Sequence, residues 1–258
     1  MRVDSHAHGS AAALRGDPAK YAARLRKQGM DAVVLIDYPE PVFASAKKMG
    51  SFVVPVPIID MEQDSPDDVR RLFDRGARGI KFFCPRHPLG DERYFPLYEA
   101  VKECAGVAVF HTGYLMHDAD YTPRWQVKLD DLRTCHMDTI ERWVPHLRIL
   151  MSHFGNPYWD ECWKVMWAHP TVYADMSGGT AILRSRLFWR EMFAPNGQLL
   201  EECLTKLCFG TDTSYFDGNH DFARYVDFHE RLFDEVGAPA ALREKINSGN
   251  IIALFGLH

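Results

Sequence analysis

Short blocks of apolar residues recur along this chain, and amphipathic stretches separate them. A short apolar block bounded by turn signals reads as a buried strand, and apolar residues three and four apart read as a helix. The blocks predict strands at 2–6, 32–36, 52–59, 79–83, 107–111, 148–153, 172–176 and 207–212. Prolines 55 and 57 predict irregularity in the third. Asp17-Pro18 supplies an N-cap and a first-turn proline for a helix that ends near Gly29. Ser65-Pro66-Asp67-Asp68 opens another, which closes at Gly76. Further helices are predicted at 41–50, 95–105, 130–146 and 158–168. The long connection 178–206 is predicted to hold a helix from Gly197, and a helical region from Asn219 onward closes the chain.

Eight short strands alternating with helices over 258 residues give the size and rhythm of an α/β protein built as a single (β/α)8 TIM barrel. A doubly wound open sheet is the alternative, but it carries a glycine-rich phosphate loop after its first strand. Here that strand is followed by Gly9-Ser10-Ala11, and no P-loop motif occurs anywhere. No Gly/Ser-rich or Pro-rich linker divides the sequence, so one domain over 1–258 is expected.

Composition narrows the function classes. The net charge is -5, which argues against nucleic acid as the main partner. No apolar run approaches a membrane span, and residues 1–9 hold no secretion signal. The six cysteines form no Cys-x-x-Cys pair, so they read as reduced thiols of a cytoplasmic protein.

The chemistry sits at the predicted strand ends. His6 and His8 lie two apart, so a strand aims both imidazoles at one point, and Asp4 shares their parity. Neutral imidazole is the commonest metal ligand among side chains. Later strands end in His111, His153 and Asp212. Val107 and Val109 share a face with His111, and Cys208 and Gly210 share one with Asp212. Each of these residues alone reads as a hydrogen-bonded core histidine or a turn cap. Five metal-competent residues on four strand ends, at the face where barrels carry their active sites, read as a metal site. Asp4 is expected behind it, orienting an imidazole.

Val3-Asp4-Ser5-His6-Ala7-His8, Arg78-Gly79-Ile80-Lys81, Phe110-His111-Thr112-Gly113, Met151-Ser152-His153-Phe154-Gly155, Tyr173-Ala174-Asp175-Met176-Ser177-Gly178 and Phe209-Gly210-Thr211-Asp212 together resemble the ordered motifs of the amidohydrolase superfamily. The nearest branch is the amidohydrolase-related group that includes aminocarboxymuconate semialdehyde decarboxylase. The C-terminal segments Ile246-Asn247-Ser248-Gly249-Asn250 and Leu254-Phe255-Gly256-Leu257 resemble it too.

The resemblance implies one divalent ion, Zn2+ first and Mn2+ second, held by His6, His8, His111 and Asp212. It makes His153 and Asp212 the catalytic acid/base pair beside that ion; His153 is a ligand instead if two metals bind. Some superfamily members carboxylate a fourth-strand lysine as a bridging ligand. Lys81 stands mid-strand rather than at the end, which favours a charge partner inside the barrel: Asp4, Asp175 or an anionic substrate. The first functional reading is hydrolysis of a small amide, lactone or related carbonyl compound. Decarboxylation of an aromatic or unsaturated carboxylate, or hydration, is the second, and a catalytically silent binding barrel the third. The partner is a small molecule; homodimers occur among related barrels. Arg86, Tyr114, Arg124, Trp125, Asn156, Trp159 and Tyr215, in the loops after the strands, are expected to contact substrate. The segment from Tyr114 to Asp130 is the expected specificity lid.

Overall fold

Valine, isoleucine and leucine fill the strand segments and leave them buried on both faces, as parallel strands covered by helices require. A computed structural model describes residues 1–9, 18–115, 127–178, 181–214 and 222–257. Its strands are β1 (Val3–His8), β2 (Ala32–Asp37), β3 (Val53–Pro57), β4 (Gly79–Phe82), β5 (Val107–Phe110), β6 (Arg148–Met151), β7 (Val172–Asp175), β8 (Leu207–Cys208) and β9 (Thr213–Ser214). They pair in parallel in the orders β3-β2-β1-β9 and β4-β5-β6-β7-β8. A bridge between Ile58 and Lys81 joins the two groups on one side. On the other, Ser5 N donates to Phe209 O at 2.9 Å and Asp212 N to His6 O at 2.8 Å, which closes the (β/α)8 barrel.

The predicted eighth strand, 207–212, is therefore split. β8 pairs with β7 and β9 with β1, and Asp212 between them has a left-handed backbone, φ 59°. Inside the barrel, Val34, Ile36, Val54, Val56, Val107 and Val109 pack together. Ile251, Leu254 and Phe255 of the helix Asn250–Phe255 cap that core at the end where the strands begin. The larger apolar layer lies outside the strands, under the helices.

Most helices fall where the pattern put them, with local reasons visible in the sequence. Ser65 and Asp68 form a reciprocal capping box on Pro66–Asp74. The expected helix at 130–146 is shorter, Cys135–Trp143, preceded by a 3-10 turn at Leu129–Leu132. The connection 178–206 departs most from expectation. Its main helix is Arg186–Phe193, not one starting at Gly197; the later piece is only Glu201–Leu204. Ser185 Oγ caps the first by accepting from Phe188 N at 3.1 Å. Trp189 and Phe193, four apart, stack in the core with ring centroids 5.8 Å apart. Asn196, at φ 55°, sits in the turn where the other helix was expected to begin. All six cysteines are free. Among the described residues no helix is long and apolar enough to cross a membrane.

Candidate metal centre

The first strand delivers its histidines through a bulge. Asp4 pairs in register with Val33 and Ala7 with Leu35, so two residues, Ser5 and His6, oppose Val34 alone. Val33 and Leu35 face the helix layer, while Val34 and Ile36 face the barrel interior. Asp4 thus lies on the outer face and does not share the face of His6 and His8. It is a backbone clamp across the barrel seam. Its carboxylate accepts from His6 N at 3.0 Å, Thr211 N at 3.0 Å and Thr211 Oγ1 at 2.6 Å. The expectation that Asp4 orients an imidazole gives way to this, and Asp175 takes that place.

Asp175 ends β7 with inward parity, and its carboxylate collects the second ring of contacts. Oδ1 accepts from His153 N at 3.0 Å, from Ser177 N at 2.9 Å and from the Ser177 hydroxyl. Oδ2 lies 3.4 Å from His6 Nδ1. Ser177 Oγ, its hydrogen given to Asp175, is 3.2 Å from His6 Nδ1 and accepts from it. His153 Nδ1 donates to Ser177 O at 3.0 Å, and His8 Nδ1 to Ile36 O at 2.8 Å. All three rings therefore carry hydrogen on Nδ1 and turn Nε2 toward the cavity.

Two of the site residues sit where strand alternation has ended. His153 has φ 63° and Asp212 φ 59°, left-handed conformations uncommon outside glycine. For Asp212 the room comes from Gly178, at φ 56°. A Cβ on Gly178 would lie 2.2 Å from Asp212 Oδ2 and 2.8 Å from its Cβ. The resulting cluster is tight. His6 Nε2 is 3.2 Å from His8 Nε2, and Asp212 Oδ1 is 3.0 Å from His8 Nε2 and 3.4 Å from His6 Nε2. His153 Nε2 is 3.2 Å from His111 Nδ1. Donor atoms of His6, His153 and Asp212 all lie within 4.8 Å of one another.

Electrostatics favour the ligand form at His6, His111, Asp212 and Asp175, and the cation at His8. Burial, aided by the charge of Lys81, lowers His6 to about 3, and burial lowers His111 well below its ordinary value. Burial works against the His8 cation as well, but the Asp212 carboxylate outweighs it and the net direction is upward. Burial alone would raise both carboxyls. The imidazoles of His153 and His8 hold Asp212 well below the carboxylate range, and those of His6 and His153 do the same for Asp175.

The donor set fits a divalent cation on geometry alone. With Nδ1 engaged on both rings, the Nε2 atoms of His6 and His8 converge with a carboxylate oxygen of Asp212. That convergence offers a divalent cation two nitrogens and an oxygen. His111 Nε2 is buried with no hydrogen-bond partner among the described residues. The structure brings together all five strand-end residues. It also brings a donor atom of His153 within 4.8 Å of those of His6 and Asp212, where the resemblance had put His111 in the ligand set and His153 beside it.

The cluster opens into a cavity of about 460 Å3, walled by Ile36, Tyr38, Ile58, Phe83, Tyr114 and Leu115, with Lys81 and Asn156 also lining it. Tyr114 is half exposed at this mouth, and Asn156 O accepts from Tyr114 N at 2.6 Å. Arg86 is exposed and lines a neighbouring cavity of about 330 Å3 instead. Trp159 lies away from the cavity: it is buried against Phe188 and Trp189, with Arg184 over its ring. Arg124, Trp125, Tyr215 and most of the expected lid lie outside the described residues. Sequence reasoning missed the orienting role of Asp175 and Ser177 and the apolar wall. The inward parity that selected His111 would also have selected Asp175. A larger groove of about 1020 Å3 lies at the opposite end, near Val3, Phe43 and Ile252, and no histidine lines it.

These imidazoles and this carboxylate converge at the C-terminal face of a parallel barrel, the face where TIM-barrel enzymes carry their active sites. The amidohydrolase family profile matches residues 3–257, and the chain belongs to this family. A search of the curated proteins finds no match. Among solved structures, 5-carboxyvanillate decarboxylase from Sphingomonas paucimobilis is similar, with TM-score 0.68 and 10% identity over 100% of this chain and 99% of that one. A protein from Pseudomonas putida described as a candidate 2-pyrone-4,6-dicarboxylic acid hydrolase gives TM-score 0.66 and 18% identity, covering 99% and 97%. The 2,6-dihydroxybenzoate decarboxylase from Rhizobium gives 0.62 and 15%, covering 99% and 98%. At these identities the likeness speaks to the fold.

Proposed function

We propose that this protein is a metal-dependent hydrolase acting on a small amide, lactone or related carbonyl substrate. The observation that carries the reading is the convergence of His6, His8, His111, His153 and Asp212 on one cavity, with three donor atoms mutually within 4.8 Å. In this reading His6, His8, His111 and Asp212 hold a divalent ion, Zn2+ or Mn2+. Such an ion supplies Lewis acidity and lowers the pKa of water. Asp212, kept ionised by the surrounding imidazoles, is the proton acceptor. His153, fixed by its bonds to Ser177 O and Asp175, presents Nε2 to the substrate and polarises the reacting carbonyl. Asp175 and Ser177 keep His6 and His153 in the required tautomer. The apolar wall excludes water from the far side of the substrate.

Decarboxylation of an aromatic or unsaturated acid is the second reading, supported by the cationic Lys81 in an apolar cavity, a seat for a carboxylate. The test is metal content by plasma mass spectrometry, with activity assayed on lactones, amides and aromatic acids before and after chelation. Wild type is expected to hold about one ion per chain, the Asp212→Asn variant less, and chelation to abolish turnover. Full activity in metal-free protein would sink both readings.

A further inference from the structure

The floor of the cavity holds a charge that the metal centre leaves unused. Lys81 stands in the barrel layer of Val109, its register partner, and is 2% exposed, yet it lines the cavity. Its Nζ donates to Ser152 Oγ at 2.7 Å, its one side-chain hydrogen bond among the described residues. An ammonium has three hydrogens to place. The carboxylates that could neutralise it are committed elsewhere. Asp4 is on the outer face with Thr211, Asp175 serves His153, Ser177 and His6, and Asp212 faces His8 and His6. Asp175 and Asp212 act on Lys81 only through space. Burial pushes its ammonium down to about 8, against the pull of Asp175 and Asp212. A buried cation with no contacting anion is a poor structural element and a good receptor for one.

We propose that Lys81 anchors a carboxylate of the substrate, so that the enzyme selects small flat acids over their neutral counterparts. Phe83, Tyr38 and Tyr114 line the cavity with aromatic rings, which suits a flat body, and about 460 Å3 accommodates a single ring with substituents. The carboxylate rests on the floor, and the rest of the molecule lies alongside His153 and Asp212. This rests on the cavity being the catalytic one.

The test uses benzoate and benzamide as probes on chelator-treated full-length protein, followed by titration calorimetry, with the variants Lys81→Met and Lys81→Gln. Wild type is expected to bind benzoate at least about tenfold more tightly than benzamide. Both variants should lose benzoate affinity on the order of 30-fold and keep benzamide affinity. Lys81→Met should also melt no lower than wild type, since it removes a buried charge that has no ionic partner among the described residues. Equal binding of the two probes by wild type, binding of neither, or variants that keep benzoate would overturn the proposal. So would variants that fail to fold, because an anchor for substrate is dispensable to the fold. Metal analysis of the same proteins before chelation covers the rival role: two ions per chain in wild type, lost in Lys81→Met, would make Lys81 a metal ligand. The metal-dependence reading fails on a different readout, turnover after chelation, so the two are judged separately.

Discussion

Replacing Gly178 with alanine tests the geometry of the site through a residue that carries no chemistry itself. The added methyl would lie 2.2 Å from Asp212 Oδ2, 2.9 Å from Cγ and 2.8 Å from Cβ. Ordinary carbon contacts lie near 3.5 Å, so the carboxylate must retreat by about 1 Å. Turning the Asp212 side chain relieves the first two contacts but not the third, because Cβ stays where the backbone puts it. The strand-end segment must therefore shift, and the 3.0 Å contact with His8 opens. The backbone strain of alanine at φ 56° adds about 1 kcal/mol, which lowers the melting temperature by roughly 2–4 °C. The functional effect is larger: zinc affinity should fall about 10- to 100-fold, as for other changes to groups supporting a metal ligand. The assay is competition for zinc against a chromophoric chelator, with a thermal melt of the same samples. A variant that melts slightly lower and keeps wild-type zinc affinity would refute the argument that Gly178 makes room for Asp212 as a ligand.

Other outcomes follow from residues outside the histidine cluster. Burial lowers the pKa of His229 to about 4; its Nδ1 is bonded to Tyr225 O and its Nε2 has no partner among the described residues. Its unfolded value is 6.5, so it has no effect above that pH, weakens the fold as pH drops from 6.5 to 4, and levels off below. The full effect is roughly 3 kcal/mol, and urea midpoints measured from pH 7 to 4 should fall less in His229→Phe than in wild type. Ser65→Ala removes the hydroxyl of the capping box on Pro66–Asp74 and should lower stability by about 1 kcal/mol in calorimetry, with kcat unchanged. Trp189→Ala empties the aromatic cluster with Phe154 and Phe193 and should lower stability by about 3–5 kcal/mol in urea unfolding.

The strand order and the five converging residues were legible because parallel strands buried on both faces leave unmistakable apolar blocks, and polar residues at their ends stand out. What strand parity could not reveal was any break in the alternation. The bulge at Ser5-His6 puts Asp4 on the opposite face from His6, although both positions are even. Left-handed turns at His153 and Asp212 re-aim those side chains after the strand has stopped, so the parity that picked them was not what places them. Asp175 was noticed only as a candidate partner for Lys81; its part in orienting the imidazoles went unread because no neighbouring histidine advertised it, though its inward position at the end of β7 was readable. The helix Arg186–Phe193 had its own signals, a serine cap and two aromatics four apart. A glycine later in the same connection drew attention away from them.

The barrel interior has a consequence for traffic. Below Lys81 the axis is filled by Val34, Val54, Val107 and Leu150 and stoppered by Leu254 and Phe255. The packed core closes that end, so within the described residues whatever enters past Tyr38 and Tyr114 leaves at the rim. In a reaction that splits one molecule into two, the fragment nearer the rim departs first and the deeper one last. The deeper fragment competes with the next substrate for the same seat. Inhibition by the two products would then differ in kind, competitive for the one that rests on the floor and noncompetitive for the one that leaves first. That asymmetry would show which end of the substrate points down.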